Sequence, residues 1–422
     1  MRRHTTVRLV AVMAGWAGLA LVANGTVAGA QTLQERVDAL EKKVGDGSKT
    51  AVDDYGIKFH GLIAVDYTYD INAPDSGGPF LTLFDNEKNS FLLNLANLHV
   101  ERQSEKGVGF VFDMDFGKTA DVVNNTTFFG KHDSSGAPVT GNGTDFFDAR
   151  QFYITYKVPV GSGLNLKVGR FVTLAGAEII KSYNNINYNI SNSILFGFAI
   201  PFTHTGIMGS YAFNDQLSVD LGLVNGWDDV SDNNNGKSFH GGITVAPDPR
   251  FSWYTTIMYG PEQNDRSGSK RFLATTLFTV KATDQLTLIA DYNYGNESNV
   301  SLTSSGLPNA TSTTALYGAP GNAEWQGVAG YIVYAPLDEL QLSFRSEVFD
   351  DPDGVRTLVQ QPGYGPGATY WEVTPTVSYR IADGLWWRNE YRHDEADKQV
   401  FPTSDHMARG QDTIATELIY TF

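Results

Sequence analysis

The chain has 422 residues, a formal net charge of −16 at pH 7 and no cysteine. This acidity argues against nucleic-acid binding, which needs clustered Lys and Arg, and the lack of cysteine excludes disulfides, thiolate catalysis and cysteine-ligated zinc. Aromatic residues make up 12% of the chain and glycine contributes 43 residues, a composition that suits many strands joined by tight turns.

The first thirty residues have the pattern of a secretory signal peptide. Arg2, Arg3 and Arg8 form a basic start, residues 9–23 are an apolar run, and residues 28–30 read Ala-Gly-Ala, a small-residue cleavage site. Because the apolar run is short for a membrane span and is followed by polar sequence, we predict that residues 1–30 are cleaved on export.

Residues 31–46 predict a short heptad helix. Its apolar residues recur at spacings of four, three and four and are flanked by charges; they are Leu33, Val37, Leu40 and Val44. A helix this short is marginal alone. The pattern therefore predicts either a short coiled coil that joins several copies or a surface helix or frayed arm, and residues 47–56 are expected to be a tether.

From residue 57 to the end the hydrophobic period is two, which indicates β-strands with one apolar and one polar face. Residues 107–118 show it clearly, because one face carries Val108, Phe110, Phe112, Met114 and Phe116 and the other carries Asp113 and Asp115. We expect the aromatic face to meet lipid and the carboxylates to face a water-filled interior, since a charge on the lipid face costs free energy.

About sixteen such strands follow one another, and their connections alternate between short and long. The long ones are rich in Gly, Asn, Asp, Ser and Pro and lie near 72–90, 118–145, 172–200, 228–237, 260–269, 296–323, 350–368 and 395–410. A soluble sandwich has no reason to place all its long loops at one end. We predict that residues 57–422 form an all-β, transmembrane antiparallel barrel with short periplasmic turns and long extracellular loops.

The last strand ends the chain on an aromatic residue. In DTIATELIYTF, Tyr420 and Phe422 share a face and Phe422 is the terminal residue. A final strand of this kind resembles the signal by which bacterial outer-membrane barrels are recognised for insertion. It implies the bacterial outer membrane as the location and the barrel-assembly machinery as a partner.

Several stretches, in order along the chain, resemble one family. FHGLIAVDYTYDIN (59–72), FDNEKNSFLLNLANLHVER (84–102), VGRF, NYNIS, AIPFTHTGIMGSYAFND (199–215) and LVNGWDDVSDNNNGKS (223–238) are similar to the β-barrel porin-2 family, the OmpL-like bacterial porins. The resemblance runs from about residue 57 to the C-terminus. It implies passive diffusion of small hydrophilic solutes or ions through a barrel in contact with outer-membrane lipid and lipopolysaccharide. The heptad arm also resembles the short coiled coils that precede some trimeric porins, which hints at a homotrimer.

The third long loop, 172–200, is unusually apolar for an exposed loop. We expect it to fold into the barrel and narrow the pore, with Glu178, Lys181 and Tyr183 near the constriction. The alternative is an external loop packed on its neighbours or on another copy of the chain.

The alternation of side chains along each strand, here called parity, predicts which residues line the interior. The pore-lining set is Asp66, Asp113, Asp115, Lys157, Lys167, Arg345, Glu347, Glu372, Arg380, Arg388, Glu390, Arg392 and Glu417. Rings and patches of charge select between ions in wide pores, and the acidity of the chain weakly favours cations. Parity fails at Asn94 and Arg170, which fall on the apparent lipid face and are expected at the rim or beside a bulge.

Other motifs are weak. NGKS (235–238) lacks the glycine of a phosphate loop, and 228–236 has the composition of a calcium loop without the EF-hand order. A loose Ca²⁺ or lipopolysaccharide-bridging site on 228–236 stays open. His60, His99, His204 and His240 have no metal-ligand spacing, and no metal or cofactor is expected.

Two alternatives to a non-enzymatic diffusion channel remain open. One is a structural anchor whose N-terminal arm contacts the cell wall, and the other, much weaker, is a barrel hydrolase that uses Ser193 and His204. The solute is not identified by the sequence.

Overall fold

The computed structural model describes residues 55–72, 78–104, 107–125, 147–300, 321–357, 360–361 and 365–422. Within these residues, sixteen strands form one closed antiparallel barrel in which each strand pairs with its sequence neighbours and the last pairs with the first, as predicted. In chain order, β1 to β16 are Lys58–Asp70, Phe91–Arg102, Gly107–Phe116, Phe147–Val158, Leu164–Val172, Thr203–Asn214, Leu217–Val224, Ser238–Asp248, Phe251–Pro261, Lys270–Lys281, Leu286–Val300, Gly321–Leu337, Leu340–Asp351, Ala368–Ala382, Leu385–Ala396 and Gly410–Thr421.

The chain closes the barrel with its own last residues. β1 and β16 pair in register from Leu62 opposite Thr421 to Asp70 opposite Thr413. Beyond the last strand, Gly61 and Phe422 exchange both backbone hydrogen bonds, at 2.9 and 3.0 Å. Closure leaves no free sheet edge. An open edge would expose unpaired backbone N–H and C=O groups to the bilayer, which is unfavourable.

The connections alternate as expected. Two to five residues join the strands at one end of the barrel, for example 215–216 and 338–339, whereas 173–202 and 225–237 connect strands at the other end. Two of the long connections contain small hairpins, Gln360–Gln361 with Gly365–Pro366 and Phe401–Pro402 with Met407–Ala408. The helix α1 (Lys118–Asn125) follows β3, and one π-helical turn covers Leu195–Ala199. No helix in the described part of the chain is long and apolar enough to cross a membrane.

Burial alternates along the strands because one face of the wall points outward. On β3, Val108 and Phe116 are exposed, whereas Val111, Asp113 and Asp115 are buried. The outward aromatic rings stack along and between strands: the Phe112 ring lies 4.8 Å from that of Phe110 on the same strand and 4.7 Å from that of Phe152 on β4. Apolar side chains thus cover the outside of the barrel.

The main hydrophobic core lies inside the barrel. It joins inward side chains of the wall to apolar residues of the long connections, including Phe84, Phe171, Phe196, Phe202, Trp227, Trp325 and Phe349. A barrel filled only with water would have no such core, so part of the interior is packed with protein.

The two exceptions to the alternation have polar partners: Asn94 bonds residues of the first long connection, and Arg170 bonds the start of β4. Asn94 is buried and donates hydrogen bonds to the carboxylates of Asp66 and Asp85, and its own side-chain oxygen accepts one from Thr119 at 2.7 Å. Arg170 donates to Asp148 Oδ1 at 2.8 Å and to the Ala149 carbonyl at 2.9 Å. The proposed signal peptide, heptad helix and tether, with Leu33, Val37, Leu40 and Val44, lie outside the described residues.

Candidate pore constriction

The connection between β5 and β6, residues 173–202, lies inside the barrel; we call it the inner segment. Its two ends are joined by a backbone hydrogen bond from Thr173 N–H to the Phe202 carbonyl, at 2.9 Å. Between these ends the segment contacts inward-facing side chains of strands on every side of the barrel. The contacts occur in three stretches, namely an outgoing stretch, a tip and a returning stretch.

The outgoing stretch runs along the wall from β8 to β11. Leu174 N–H points to His240 Nε2 at 3.3 Å, and Ala177 N–H donates to Asp291 Oδ2 at 2.9 Å. Since His240 Nδ1 faces the Ile257 carbonyl at 3.2 Å, a neutral ring with its proton on Nδ1 satisfies both contacts.

Glu178 ends the outgoing stretch in a buried ion pair. Its Oε1 lies 2.9 Å from Arg345 Nη1 on β13 and accepts the Tyr331 hydroxyl at 3.0 Å, and its Oε2 accepts the N–H of Ser193 at 2.9 Å. Arg345 also bonds Glu372 of β14 at 2.7 Å and the Ser191 carbonyl at 2.6 Å. One guanidinium therefore joins two strands to two stretches of the inner segment.

The tip crosses to β16, β1, β2 and β4. Lys181 forms an ion pair with Glu417, which also accepts from Arg388 Nη1 at 2.7 Å. Arg150 Nη1, on β4, donates to the Lys181 carbonyl at 2.9 Å. All four of these side chains are buried.

Tyr183 lies on the turn at the tip and is only half-buried. Its ring stacks on that of His60 at 4.2 Å, with a 7° angle between the planes, and lies 4.8 Å from that of His99. His99 Nδ1 contacts Asp113 at 2.9 Å. The turn is closed by reciprocal backbone bonds between Ser182 and Asn185, at 2.8 and 3.1 Å.

The returning stretch is held by carboxylates that accept its backbone N–H groups. Glu390 of β15 accepts from Ile190 and Ser191 at 2.6 and 2.9 Å. Glu347 of β13 accepts from Ile194 and Leu195 at 2.5 and 3.0 Å. Charge-assisted bonds of this kind are about twice as strong as neutral ones. They replace the hydrogen bonds to water that these buried N–H groups lose.

An apolar contact closes the segment. The Phe196 ring lies 5.8 Å from Phe84 and 5.1 Å from Phe202, and Trp325 Nε1 on β12 donates to the Ala199 carbonyl at 3.1 Å. Phe84 belongs to the first long connection, so that connection also folds inward. Phe80 N–H, which donates to Gln411 Oε1 of β16 at 2.7 Å, fastens it there.

The predicted pore-lining residues divide into two groups. Ten have at most 4% of their surface exposed, because the inner segment or neighbouring loops cover them: Asp66, Asp113, Asp115, Arg345, Glu347, Glu372, Arg388, Glu390, Arg392 and Glu417. The other three, Lys157, Lys167 and Arg380, are partly exposed. Of the three residues expected at the constriction, Glu178 and Lys181 are buried in ion pairs and Tyr183 is accessible. Their roles in conduction stay predictions.

Several residues of this arrangement are absent from the predicted set. Arg150 was not predicted because the β3–β4 register shifts between Asp113 and Asp115. This shift interrupts the regular alternation of inward and outward side chains on β4. Asp291 and Tyr331 do fall on inward positions of long alternating strands, so parity alone could have found them.

The weaker motifs have internal partners. Ser193 Oγ accepts the Phe196 N–H at 3.0 Å, whereas the ring of His204 bonds the Gly226 carbonyl at 2.9 Å and Thr173 Oγ1 at 3.1 Å. Asp228 accepts the N–H groups of Phe202 and Thr203. Within the described ranges, no group of three or more His, Cys, Asp or Glu side chains is arranged to hold a metal ion.

Comparisons with known proteins agree with the barrel. The family described as "Putative beta-barrel porin-2, OmpL-like" matches residues 56–422. No curated protein matches the sequence.

Three solved structures are similar in fold at low sequence identity. Salmonella typhi OmpF in complex with daunomycin has a TM-score of 0.57 at 13% identity, and the superposition covers 88% of this chain and 99% of the OmpF chain. An anion-selective porin from Comamonas acidovorans has a TM-score of 0.55 at 7% identity and covers 87% and 99%. OmpT of Vibrio cholerae in a trimer form has a TM-score of 0.51 at 10% identity and covers 87% and 99%.

The family match spans the whole barrel, and the closed strand topology agrees with it. Passive diffusion across the bacterial outer membrane is the function of such porins. The chain belongs to the OmpL-like β-barrel porin-2 family of outer-membrane porins.

Proposed function

We propose that this porin passes small hydrophilic solutes or ions by passive diffusion and that the inner segment sets the width of the path. The observation that carries the proposal is the placement of the segment, whose side chains and backbone bond inward groups of β4, β11, β13, β15 and β16. An external loop in water would not form two buried ion pairs with the inner wall. In the proposal, Glu178 and Lys181 fasten the segment, and Tyr183 on its accessible tip meets the solute.

A deletion of the tip tests this role. Residues 182–185 form a turn whose first and last residues exchange backbone hydrogen bonds, so their removal shortens the tip by one turn. A matched control is deletion of 403–406, a four-residue external turn closed by Thr403 N–H and the His406 carbonyl at 2.9 Å. In planar bilayers we expect a larger single-channel conductance for the first deletion and the wild-type value for the second. Equal conductance of all three proteins would overturn the role of the segment.

We further propose a homotrimer. The Vibrio cholerae OmpT structure is a trimer form, and one outward side chain of this barrel supports association. Asn389 lies on the outer face of β15, opposite Thr416 of β16 and Val377 of β14. No side chain in the described part of the chain bonds its amide. Because an unpaired polar group facing hydrocarbon costs several kcal/mol, a subunit contact would remove that cost.

The N-terminal arm is proposed to strengthen the trimer. Deletion of residues 31–46 is expected to weaken the trimer in detergent and to leave the pores intact. Loss of cell-wall association with the trimer unchanged would instead support the structural-anchor reading.

Catalysis is not part of the proposal, since Ser193 and His204 have separate partners. Lipid, lipopolysaccharide and the assembly machinery are the expected partners of the outer surface and of the terminal strand, where Tyr420 and Phe422 are exposed and stacked.

A further inference from the structure

Two acidic side chains that do not belong to the inner segment converge at the long-loop end of the barrel. Asp229 belongs to the connection 225–237, and Glu262 directly follows β9. A Cβ atom built on Gly226 would lie 2.7 Å from Asp229 Oδ2 and 2.8 Å from Glu262 Oε2. The two carboxylate oxygens therefore border the same small space, which the glycine leaves open.

Asp229 is the unsatisfied member of the pair. Its side chain is 9% exposed, and its Oδ2 atom is buried without a hydrogen-bond partner. A buried carboxylate oxygen without a partner costs free energy unless something neutralises it. Its neighbour in sequence, Asp228, is by contrast satisfied by two backbone N–H groups.

Glu262 is held firmly beside it. Its Oε2 accepts the Trp227 N–H at 2.6 Å, and its Oε1 accepts the Ser238 hydroxyl at 2.5 Å. Arg271, whose charge acts on both carboxyl groups, is bonded to Glu297 at 2.8 Å and lies over the Trp227 ring at 4.8 Å. Glu262 is thus fixed in place, and Arg271 forms its ion pair with Glu297 rather than with Asp229 or Glu262.

The pKa shifts of the pair show that the two carboxyl groups resist being ionised together in the absence of a cation. Burial, and then the neighbouring Glu262, raise the pKa of Asp229 to about 8. Burial raises the pKa of Glu262 to about 7, although Arg271 opposes the shift.

We propose that Asp229 and Glu262 form a site for a hard divalent cation, Ca²⁺, at the long-loop end of the barrel. Only two carboxylates converge, so main-chain or amide oxygens and water complete the ligand set, as is usual for Ca²⁺. Such a site has the modest affinity of extracellular calcium modules, with a Kd on the order of 10⁻⁴–10⁻³ M. The ion links the connection 225–237 to the end of β9.

Terbium luminescence tests the site, because Trp227 adjoins it and can sensitise bound Tb³⁺. The folded wild-type barrel in detergent should give saturable Tb³⁺ emission that Ca²⁺ displaces. Asp229→Asn and Glu262→Gln should each weaken binding about 10-fold or more, since affinity follows ligand charge. Asp232→Asn is the matched control, because that carboxylate lies in the same connection but is paired with Lys237.

A second readout guards against misfolded variants. Ca²⁺ should raise the thermal midpoint of the wild type and of Asp232→Asn, and leave that of Asp229→Asn unchanged. Asp229→Asn is isosteric and removes an unpaired charge, so it should fold. Absent or non-saturable Tb³⁺ emission, or equal binding by wild type and Asp229→Asn, would overturn the proposal.

Discussion

The guanidinium of Arg345, on the wall of the barrel, lies 2.9 Å from the carboxylate of Glu178, on the segment that crosses the interior, and both side chains are buried. This contact attaches the inner segment to the barrel wall. The ten buried inward charges do not simply face water. Six of them bond the backbone or side chains of residues 173–202, namely Arg345, Glu347, Arg388, Glu390, Arg392 and Glu417.

Replacement of Arg345 by methionine should release the inner segment. The change leaves Glu178 and Glu372 buried without their partner, and removal of one member of a buried pair typically costs about 3–5 kcal/mol. We expect a lower midpoint in heat-modifiability gels and a larger, noisier single-channel conductance. Arg250→Met, at an exposed arginine on the short turn between β8 and β9, is the control and should keep wild-type conductance. An unchanged Arg345→Met channel would show that the segment does not depend on this pair.

Glu390→Ala should loosen the returning stretch. Two consecutive N–H groups, of Ile190 and Ser191, lose their acceptor, at about 1–3 kcal/mol for each group left unsatisfied. Glu390→Gln keeps one acceptor oxygen and should have a smaller effect on both thermal midpoint and conductance. The same-strand control is Glu395→Ala, at a half-buried outward position. The interpretation fails if Glu390→Ala and Glu395→Ala behave alike.

Asn389→Leu separates a subunit contact from a lipid contact by the sign of its effect. If a second copy covers Asn389, the variant should dissociate to monomers at a lower temperature in mild detergent. If Asn389 faces lipid, removal of its amide should instead stabilise the folded barrel. Native gels read both outcomes, and Ala290→Leu, an exposed outward position on β11, controls for added side-chain volume. A stabilised monomer would contradict the proposed trimer contact at this face.

The Asp229–Glu262 pair predicts a pH dependence of stability in the presence of a chelator. The pKa of Asp229 is raised to about 8 by burial and by Glu262, from the model-peptide value of about 3.9 in the unfolded chain. Between these values the folded state binds more protons than the unfolded state. The free energy of unfolding should therefore fall as the pH rises from about 4 to about 8.

Urea titrations in EDTA across that range measure this effect. The Asp229→Asn variant, which does not titrate at this position, should show a flatter profile, and added Ca²⁺ should oppose the fall in the wild type. Identical profiles for the two proteins would contradict the assignment of the proton to this pair.

Much of the fold could be predicted from the sequence because it follows from local pattern. Alternation in stretches such as 107–116 determines which face of a strand is apolar, and the lengths of the connections determine that long loops share one end. The inward fold of 173–202 could be anticipated from its apolar residues, which a solvated loop would not carry.

The partners of the inward charges could not be predicted from local pattern. Arg345 meets Glu178 across 167 positions of the chain, and Lys181 meets Glu417 across 236, distances over which sequence periodicity holds no information. The register shift between β3 and β4 could not be predicted either. Beside this shift, Arg150 points inward and bonds the tip of the segment.

By itself, the sequence determined the barrel, its orientation of loops and its family, because strand periodicity and turn chemistry are encoded residue by residue. Only the tertiary structure decided that Glu347 and Glu390 bind backbone N–H groups, that Asp229 has an unpaired oxygen and that Tyr183 remains accessible. Those outcomes depend on which side chains share the enclosed volume, and that is fixed only when the barrel closes around the inner segment.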